Sequence, residues 1–155
     1  NKHNYAIHFA ALNNHPEVIK FLFDSGAKLE CFNDEKCTPL HLAAKKGHCK
    51  SMTMLLDLGA NQYAVDIRNW TPLHYAAYNG RGAAVQLLCK HDADYEKLRE
   101  MKNTQGKIAR EIAPTEAVKF QFNTLWKAAY DGNLDIIRRL HRFGEDLDAQ
   151  TRHFQ

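Results

Sequence analysis

Apolar residues in this chain occur in pairs of short segments that are separated and followed by short polar or glycine-containing stretches. In the second of these pairs, the two segments flank Gly47 and Gly59 follows, with the apolar positions Leu40, Leu42, Ala43, Ala44, Met52, Met54, Leu55 and Leu56. The pattern predicts two short helices joined by a tight turn, ended by a glycine that takes left-handed backbone angles cheaply. The polar stretch 62–70 predicts a projecting hairpin loop.

The paired segments repeat. "CTPLHLAAKKGH" begins at Cys37 and "WTPLHYAAYNGR" begins 33 residues later at Trp70, and "YAIHFAALNNHP" extends the period toward the N-terminus. Several columns agree in all three units: His8, His41, His74; Ala10, Ala43, Ala76; Leu22, Leu55, Leu88. Because no single pair of helices can bury its apolar faces, the units are expected to stack into a solenoid.

A 33-residue period with the motif T-P-L-H-x-A resembles the ankyrin repeat family. This resemblance covers nearly the whole chain and implies an all-α solenoid of helix-turn-helix units with projecting hairpin loops. It also implies that each motif threonine begins a first helix and that each histidine bonds the backbone of a hairpin. His8, His41 and His74 are therefore interpreted as scaffold, since each lies in a separate unit and metal binding needs converging ligands.

The repeat pattern also predicts how the chain is divided. Residues 1–113 are assigned to repeats 1–3 and the start of a degenerate repeat 4, whose hairpin region carries about four extra residues. Residues 114–123 are predicted to be a shortened helix and junction, and residues 124–155 a further repeat that opens a second, truncated stack. We expect the chain to be an excerpt of a longer protein.

Composition narrows the functional classes. The formal net charge of +3 is too small for a dedicated nucleic-acid binder, and no apolar run approaches the roughly 20 residues of a membrane helix. We therefore expect neither nucleic-acid binding nor membrane insertion. The four cysteines form no CxxC pair, which favours free thiols in a reducing compartment, hence a cytoplasmic or nuclear protein.

Zinc binding and catalysis are the two kinds of chemistry for which the sequence contains suitable residue types. Cys31, Cys37, His48 and Cys49 mix residue types that bind zinc, but Cys37 and His48 flank a predicted helix that separates them by roughly 12 Å. Phosphate-binding, dinucleotide-binding and nucleophile motifs are lacking from the sequence. We expect no metal, no cofactor and no enzyme activity.

The resemblance implies binding through hairpin tips and a concave face formed by the first helices. The residues at these positions that the repeat does not constrain are Asp34, Glu35, Lys45, Lys46, Arg68, Trp70, Tyr78 and Asn79. Trp70 and Tyr78 stand out because tryptophan, tyrosine and arginine are enriched among interface hot spots. An alternative is that Trp70 packs against the neighbouring hairpin.

The leading hypothesis is a non-catalytic protein-interaction module that binds a peptide or protein domain, with acidic or phosphorylated groups suited to the flanking cations. One alternative is a structural or regulatory segment of a longer ankyrin array in a cytoskeletal, membrane or channel protein. Another is fusion to an enzyme or channel outside this sequence. The basic cluster at residues 138–142 is interpreted as a solvated helix face or a docking site for an acidic partner.

Overall fold

The structure is a computed structural model that describes residues 4–92 and 97–122, together with Ala129, Gly132, Leu134, Asp135, Ile137 and Arg138. Within these ranges the chain forms helices connected by turns and hairpin loops, and the only strand-like pairing is one isolated bridge between Lys102 and Ile108. The predicted all-α class is therefore confirmed. The predicted second stack lies mostly outside the described residues and stays a prediction.

Helices come in antiparallel pairs, one pair for each of the first three units. They are α1 (Ala6–Leu12), α2 (Pro16–Asp24), α3 (Pro39–Lys46), α4 (Cys49–Asp57), α5 (Pro72–Tyr78), α6 (Gly82–His91), α7 (Lys97–Glu100), a 3-10 helix (Ala109–Ile112) and α8 (Glu116–Phe120). The helix α7 lies in the region predicted to be an extended hairpin. It forms there because Leu98 is fully buried against the core.

The core is a continuous seam that runs through the stack. First helices pack on first helices (α1 on α3, α3 on α5), and second helices pack on second helices. Alanine pairs such as Ala43–Ala44 and Ala76–Ala77 are fully buried, so the backbones of neighbouring helices approach closely. The stack thus buries the apolar faces that a single helix pair would expose.

In the first three units, the first helix has a threonine or tyrosine as its N-cap. The histidine three residues later accepts a hydrogen bond from the backbone of this N-cap residue. The Thr38 N–H donates to Nδ1 of His41 over 3.1 Å. This nitrogen is therefore an acceptor, and the proton lies on Nε2, which donates to the Trp70 carbonyl over 3.0 Å. The predicted scaffold role of this histidine is confirmed.

The same bond recurs at the other two junctions within residues 4–122. His8 Nε2 lies 2.9 Å from the Cys37 carbonyl, and His74 Nε2 lies 3.2 Å from the Lys107 carbonyl. The bonded residues are 29 apart in the first case and 33 apart in the last. This difference of four agrees with the predicted insertion before the fourth hairpin, and it shows that the insertion leaves the junction itself intact.

One repeat column holds Gly26, Gly59 and Asp92 at successive periods. Both glycines have positive φ, +94° and +92°, whereas Asp92 is extended with φ −68°. The aspartate in this column predicts that position 92 tolerates a side chain, and the negative φ of Asp92 agrees with this. However, the Asp92 carboxylate is buried and accepts hydrogen bonds from the Tyr63 hydroxyl at 2.7 Å and the Leu98 N–H at 3.2 Å. Replacement of this aspartate is therefore costly.

Gly59→Val is expected to lower the free energy of unfolding by about 1–2 kcal/mol, because a β-branched residue at positive φ is strained. No atom lies within 4 Å of an added Cβ at this position, so the cost comes from the backbone alone. Gly59→Asn, which tolerates this conformation, should cost less. Urea denaturation of both variants measures the difference, and equal costs would show that φ does not decide stability here.

Asp92→Val is expected to destabilise by about 1–3 kcal/mol, at least as much as Gly59→Val, since it removes the acceptor of the buried Leu98 N–H and of the part-buried Tyr63 hydroxyl. The same urea titrations test this. A negligible cost at Asp92 would contradict the buried hydrogen bonds.

Acid should destabilise the stack through its neutral histidines. Burial lowers the pKa of His41 to about 4, although the bond to the Trp70 carbonyl works in the opposite direction, and burial also lowers the pKa of His8 and His74. The folded pKa lies below the unfolded value of 6.5, so the stabilisation is complete above pH 6.5 and is lost as the pH falls toward 4.

We expect His41 alone to account for roughly 3 kcal/mol of this loss. Urea denaturation at several pH values between 7.5 and 4.5 measures the loss. His41→Gln should flatten the pH dependence. An unchanged slope in His41→Gln would contradict the assignment.

Candidate partner-binding groove

The hairpins share one internal clamp, an Asp or Asn side chain that closes the turn. Asp66 Oδ1 accepts from the backbone N–H groups of Arg68 and Trp70, both at 2.8 Å. Asn33 and Asn103 do the same in the hairpins on either side. Such side-chain-to-backbone bonds fix a loop as firmly as a short helix, so Arg68 and Trp70 emerge from a rigid base.

Neighbouring hairpins are also joined through their backbones. The Ile67 N–H donates to the Glu35 carbonyl over 3.1 Å, and the Thr104 N–H donates to the Arg68 carbonyl over 3.0 Å. Residues at the same place in successive hairpins therefore lie side by side. This alignment brings the third hairpin, the fourth hairpin and the ends of the first helices around one depression.

This depression is a groove of about 500 Å³, which we call the third-unit groove. Its walls are formed by the side chains of Lys45, Arg68, Trp70, Tyr75, Tyr78, Asn79, Gln105, Lys107 and Ile112. Five of the eight residues that the sequence marked as candidates come together here: Lys45, Arg68, Trp70, Tyr78 and Asn79. The structure therefore places these five residues on one continuous surface.

Aromatic rings form the floor and one wall of the groove. The Trp70 ring meets the rings of Tyr75 and Tyr78 edge-on, with centroids 5.3 Å apart in both pairs. The Arg68 guanidinium lies 4.5 Å from the Trp70 ring centroid, within the range of a cation–π contact. Trp70 is half-buried and Tyr78 is 59% exposed. The Trp70 ring thus packs against residues of its own unit and also faces the groove.

Beneath the rings lies a buried polar network centred on the Tyr75 hydroxyl. It donates to Asp66 Oδ2 over 2.8 Å and accepts from Arg68 Nη2 over 2.8 Å, with the Cys37 thiol 3.4 Å away. Arg68 also lies 3.4 Å from Asp66 Oδ2. The network holds the guanidinium against the aromatic wall, so the position of Arg68 in the groove is fixed by hydrogen bonds.

Burial, hydrogen bonds and the Arg68 charge together decide the charge states in this network. Burial alone would raise the pKa of Asp66, but hydrogen bonds from Trp70, Tyr75 and Arg68 together with the arginine charge bring that pKa below its usual value. Burial raises the pKa of the Tyr75 phenol, and its contacts with Cys37 and Asp66 raise it further. At neutral pH the groove therefore has a protonated phenol and an ionised, internally satisfied carboxylate under a cationic rim.

The rim carries two lysines from different elements. Lys45 lies in the last turn of α3, where the helix dipole favours a cation, and its Nζ lies 5.9 Å from the Tyr75 ring centroid. Lys107 comes from the fourth hairpin and is exposed. With the Arg68 charge balanced by Asp66, these two ammonium groups give the groove a net positive potential. Such a surface attracts carboxylates and phosphates.

Three sequence candidates lie elsewhere. Asp34 is exposed in the second hairpin, and Glu35 uses its carbonyl to hold the next hairpin. Lys46 follows Lys45 in α3 but does not line the groove. Conversely, sequence reasoning missed four lining residues: Tyr75, Gln105, Lys107 and Ile112. The one available signal was Tyr75, an aromatic residue in a column that holds Leu42 one unit earlier.

The cysteine and histidine residues considered for zinc do not converge. Cys37 lies against Tyr75, Cys31 Sγ lies 3.7 Å from Nδ1 of His8, and His48 Nε2 bonds the Leu12 carbonyl. Across residues 4–92 and 97–122, no three His, Cys, Asp or Glu side chains are grouped closely enough to hold a metal. None of the helices described has the length and apolar character needed to cross a membrane.

Comparison with known families agrees with this geometry. Residues 7–99, more than half of the chain, match the family model described as ankyrin repeats in three copies. The chain belongs to the ankyrin repeat family, whose members are generally protein–protein interaction modules and are typically not catalytic. A search of curated proteins finds no significant match.

The two prominent aromatic residues should behave differently when removed. Trp70→Ala is expected to lower the free energy of unfolding by about 1–3 kcal/mol, because the ring packs on Tyr75 and under Arg68. Tyr78→Ala should cost less than about 1 kcal/mol, since most of that ring is in solvent. The difference arises because Trp70 is half-buried whereas Tyr78 is 59% exposed. Thermal unfolding of the two variants tests it, and equal shifts in midpoint would contradict the structure.

Proposed function

We propose that the third-unit groove binds an extended peptide or a protruding loop of another protein. The observation that carries the proposal is the joining of Arg68, Trp70 and Tyr78 on a fixed aromatic wall beneath two lysines. Aromatic residues and arginine dominate interface energies because they bury a large area at a small entropic cost. The groove is preformed by buried hydrogen bonds, so little conformational freedom is lost on binding.

The proposed ligand pairs an apolar or aromatic anchor with a carboxylate or phosphate close by. The anchor would lie on the exposed ring of Tyr78 and the outer edge of Trp70. The anionic group would lie between Lys45 and Lys107, near the outer edge of the Arg68 guanidinium, where charge-assisted hydrogen bonds are strongest. The proposed role is non-catalytic. The groove presents cations and aromatic rings, and the buried Asp66 carboxylate is occupied by its bonds to Arg68, Trp70 and Tyr75.

We also propose that the protein resides in a reducing compartment, either the cytoplasm or the nucleus. What supports it is that all four cysteines are free thiols, two of them buried. Burial raises the pKa of the thiols of Cys37 and Cys89, which keeps both protonated and slow to oxidise.

Peptides selected from a displayed random library against the chain provide the test. We expect selected peptides to carry acidic residues beside an aromatic or aliphatic residue, and Tyr78→Ala to weaken their binding by about 1–3 kcal/mol without unfolding the chain. Lys45→Glu should mainly slow association, and added salt should do the same to the unmodified chain. Fluorescence polarisation and stopped-flow mixing measure both effects.

The matched control is Lys46→Glu. It makes the same charge change in the next residue of α3, outside the groove, so it should alter association much less than Lys45→Glu. Selected peptides that bind the Tyr78→Ala and Lys45→Glu variants as tightly as the unmodified chain would place the binding surface elsewhere and overturn the proposal.

A further inference from the structure

Large exposed apolar side chains concentrate on the outer surface of the first unit. Phe9 is 52% exposed, Val18 is 45% exposed and Phe21 is 70% exposed. Together with the exposed His15 between the two helices, they form what we call the N-terminal face. A unit that meets solvent at the end of a stack normally carries polar residues on its outer face, so this surface needs an explanation.

The residues equivalent to Phe9 in the second and third units show what this position contacts inside the stack. One period later this column holds Leu42, 8% exposed, which clusters with Leu12 of the preceding unit. Two periods later it holds Tyr75, 4% exposed, whose hydroxyl meets Cys37 of the preceding unit. Phe9 therefore occupies a position that, in both later units, packs against the unit before.

The columns of Val18 and His15 lead to the same conclusion. Ser51, one period after Val18, is fully buried, and its Oγ donates to Asn14 Oδ1 of the preceding unit over 3.2 Å. His48, one period after His15, bonds the Leu12 carbonyl at the end of the preceding first helix, over 3.1 Å. Arg81, two periods after His15, bonds the equivalent carbonyl of Lys45. In both later units the residue equivalent to His15 thus bonds the carbonyl at the end of the preceding first helix. The imidazole of His15 can donate in the same way.

We propose that the N-terminal face is a stacking interface that receives a further helix pair of the ankyrin type. That pair would cover Phe9, Val18 and Phe21 and present the carbonyl at the end of its first helix to His15. This interface is separate from the third-unit groove, on which the proposal does not depend.

A second copy of the chain fits the face less well. A two-fold dimer brings the same face against itself. The carbonyl at the end of α1 belongs to Leu12 and is already bonded to His48, so the copy has no equivalent group to offer His15. The continuation of the established interfaces between units, column by column, favours the helix pair.

A fusion protein tests this proposal. A duplicate of residues 37–69, one period of 33 residues, is joined directly before Asn4, so that Asn4 follows Asn69 as Trp70 does in the chain. We expect the fusion to unfold in urea in one transition with a higher midpoint than the 155-residue chain. Phe21→Lys should lower the midpoint of the fusion and leave that of the unfused chain within error.

Two controls accompany the fusion. A duplicate that carries Leu55→Asp cannot form its helix pair, and it should remove both the gain in midpoint and the effect of Phe21→Lys. Tyr78→Lys changes an equally exposed aromatic residue far from the face and should have the same effect in fused and unfused chains.

Three results would overturn the proposal. The first is a shift from Phe21→Lys of the same size in both chains, and the second is a fusion that unfolds in two separate transitions. The third is sedimentation of the unfused chain as a dimer that Phe21→Lys dissociates, which would assign the face to a second copy.

Discussion

The hydrogen bond from each motif histidine to a hairpin carbonyl is the interaction on which this structure depends. It joins the first turn of one unit to the loop that leads into the next, and it is made by an imidazole without any exposure to solvent. The Thr–His pair also caps its own helix, so one side chain serves the local fold and the stacking at once. Protonation of the histidine Nδ1 in acid would remove the acceptor of the threonine N–H. Two donors would then face each other in the cap.

The groove follows from this arrangement together with a single carboxylate. Asp66 closes the third hairpin through its Oδ1 and anchors Tyr75 and Arg68 through its Oδ2. The position of the cationic wall is therefore fixed by the same residue that fixes the loop. In the neighbouring hairpins asparagine does the closing, and its amide cannot hold an arginine as an ion pair. This difference explains why the aromatic and cationic wall is built on the third unit.

The helix pairs of the first three units could be predicted from the sequence because the period of 33 repeats a similar pattern, although a tyrosine replaces the threonine in the first unit and Asp92 replaces the glycine in the third. Five of the groove residues could also be predicted, since they stand where the repeat leaves the residue type open. Tyr75 could not, because its column looks like ordinary core and only the buried contacts with Asp66 and Arg68 give it a role. Gln105 and Lys107 could not either, because the four inserted residues and helix α7 shift the fourth hairpin out of the simple register. The role of Asp92 was hidden for a similar reason: its partners, Tyr63 and Leu98, come from other units.

The three carbonyls that accept the histidine bonds belong to a cysteine, a tryptophan and a lysine. A main-chain acceptor is present in every residue type, so the joint between units places no demand on the side chain that the same residue carries. At Trp70 and Lys107 the carbonyl therefore joins the units while the side chain of the same residue lines the third-unit groove. Substitutions at these two positions can change the groove while the joint between the units is kept.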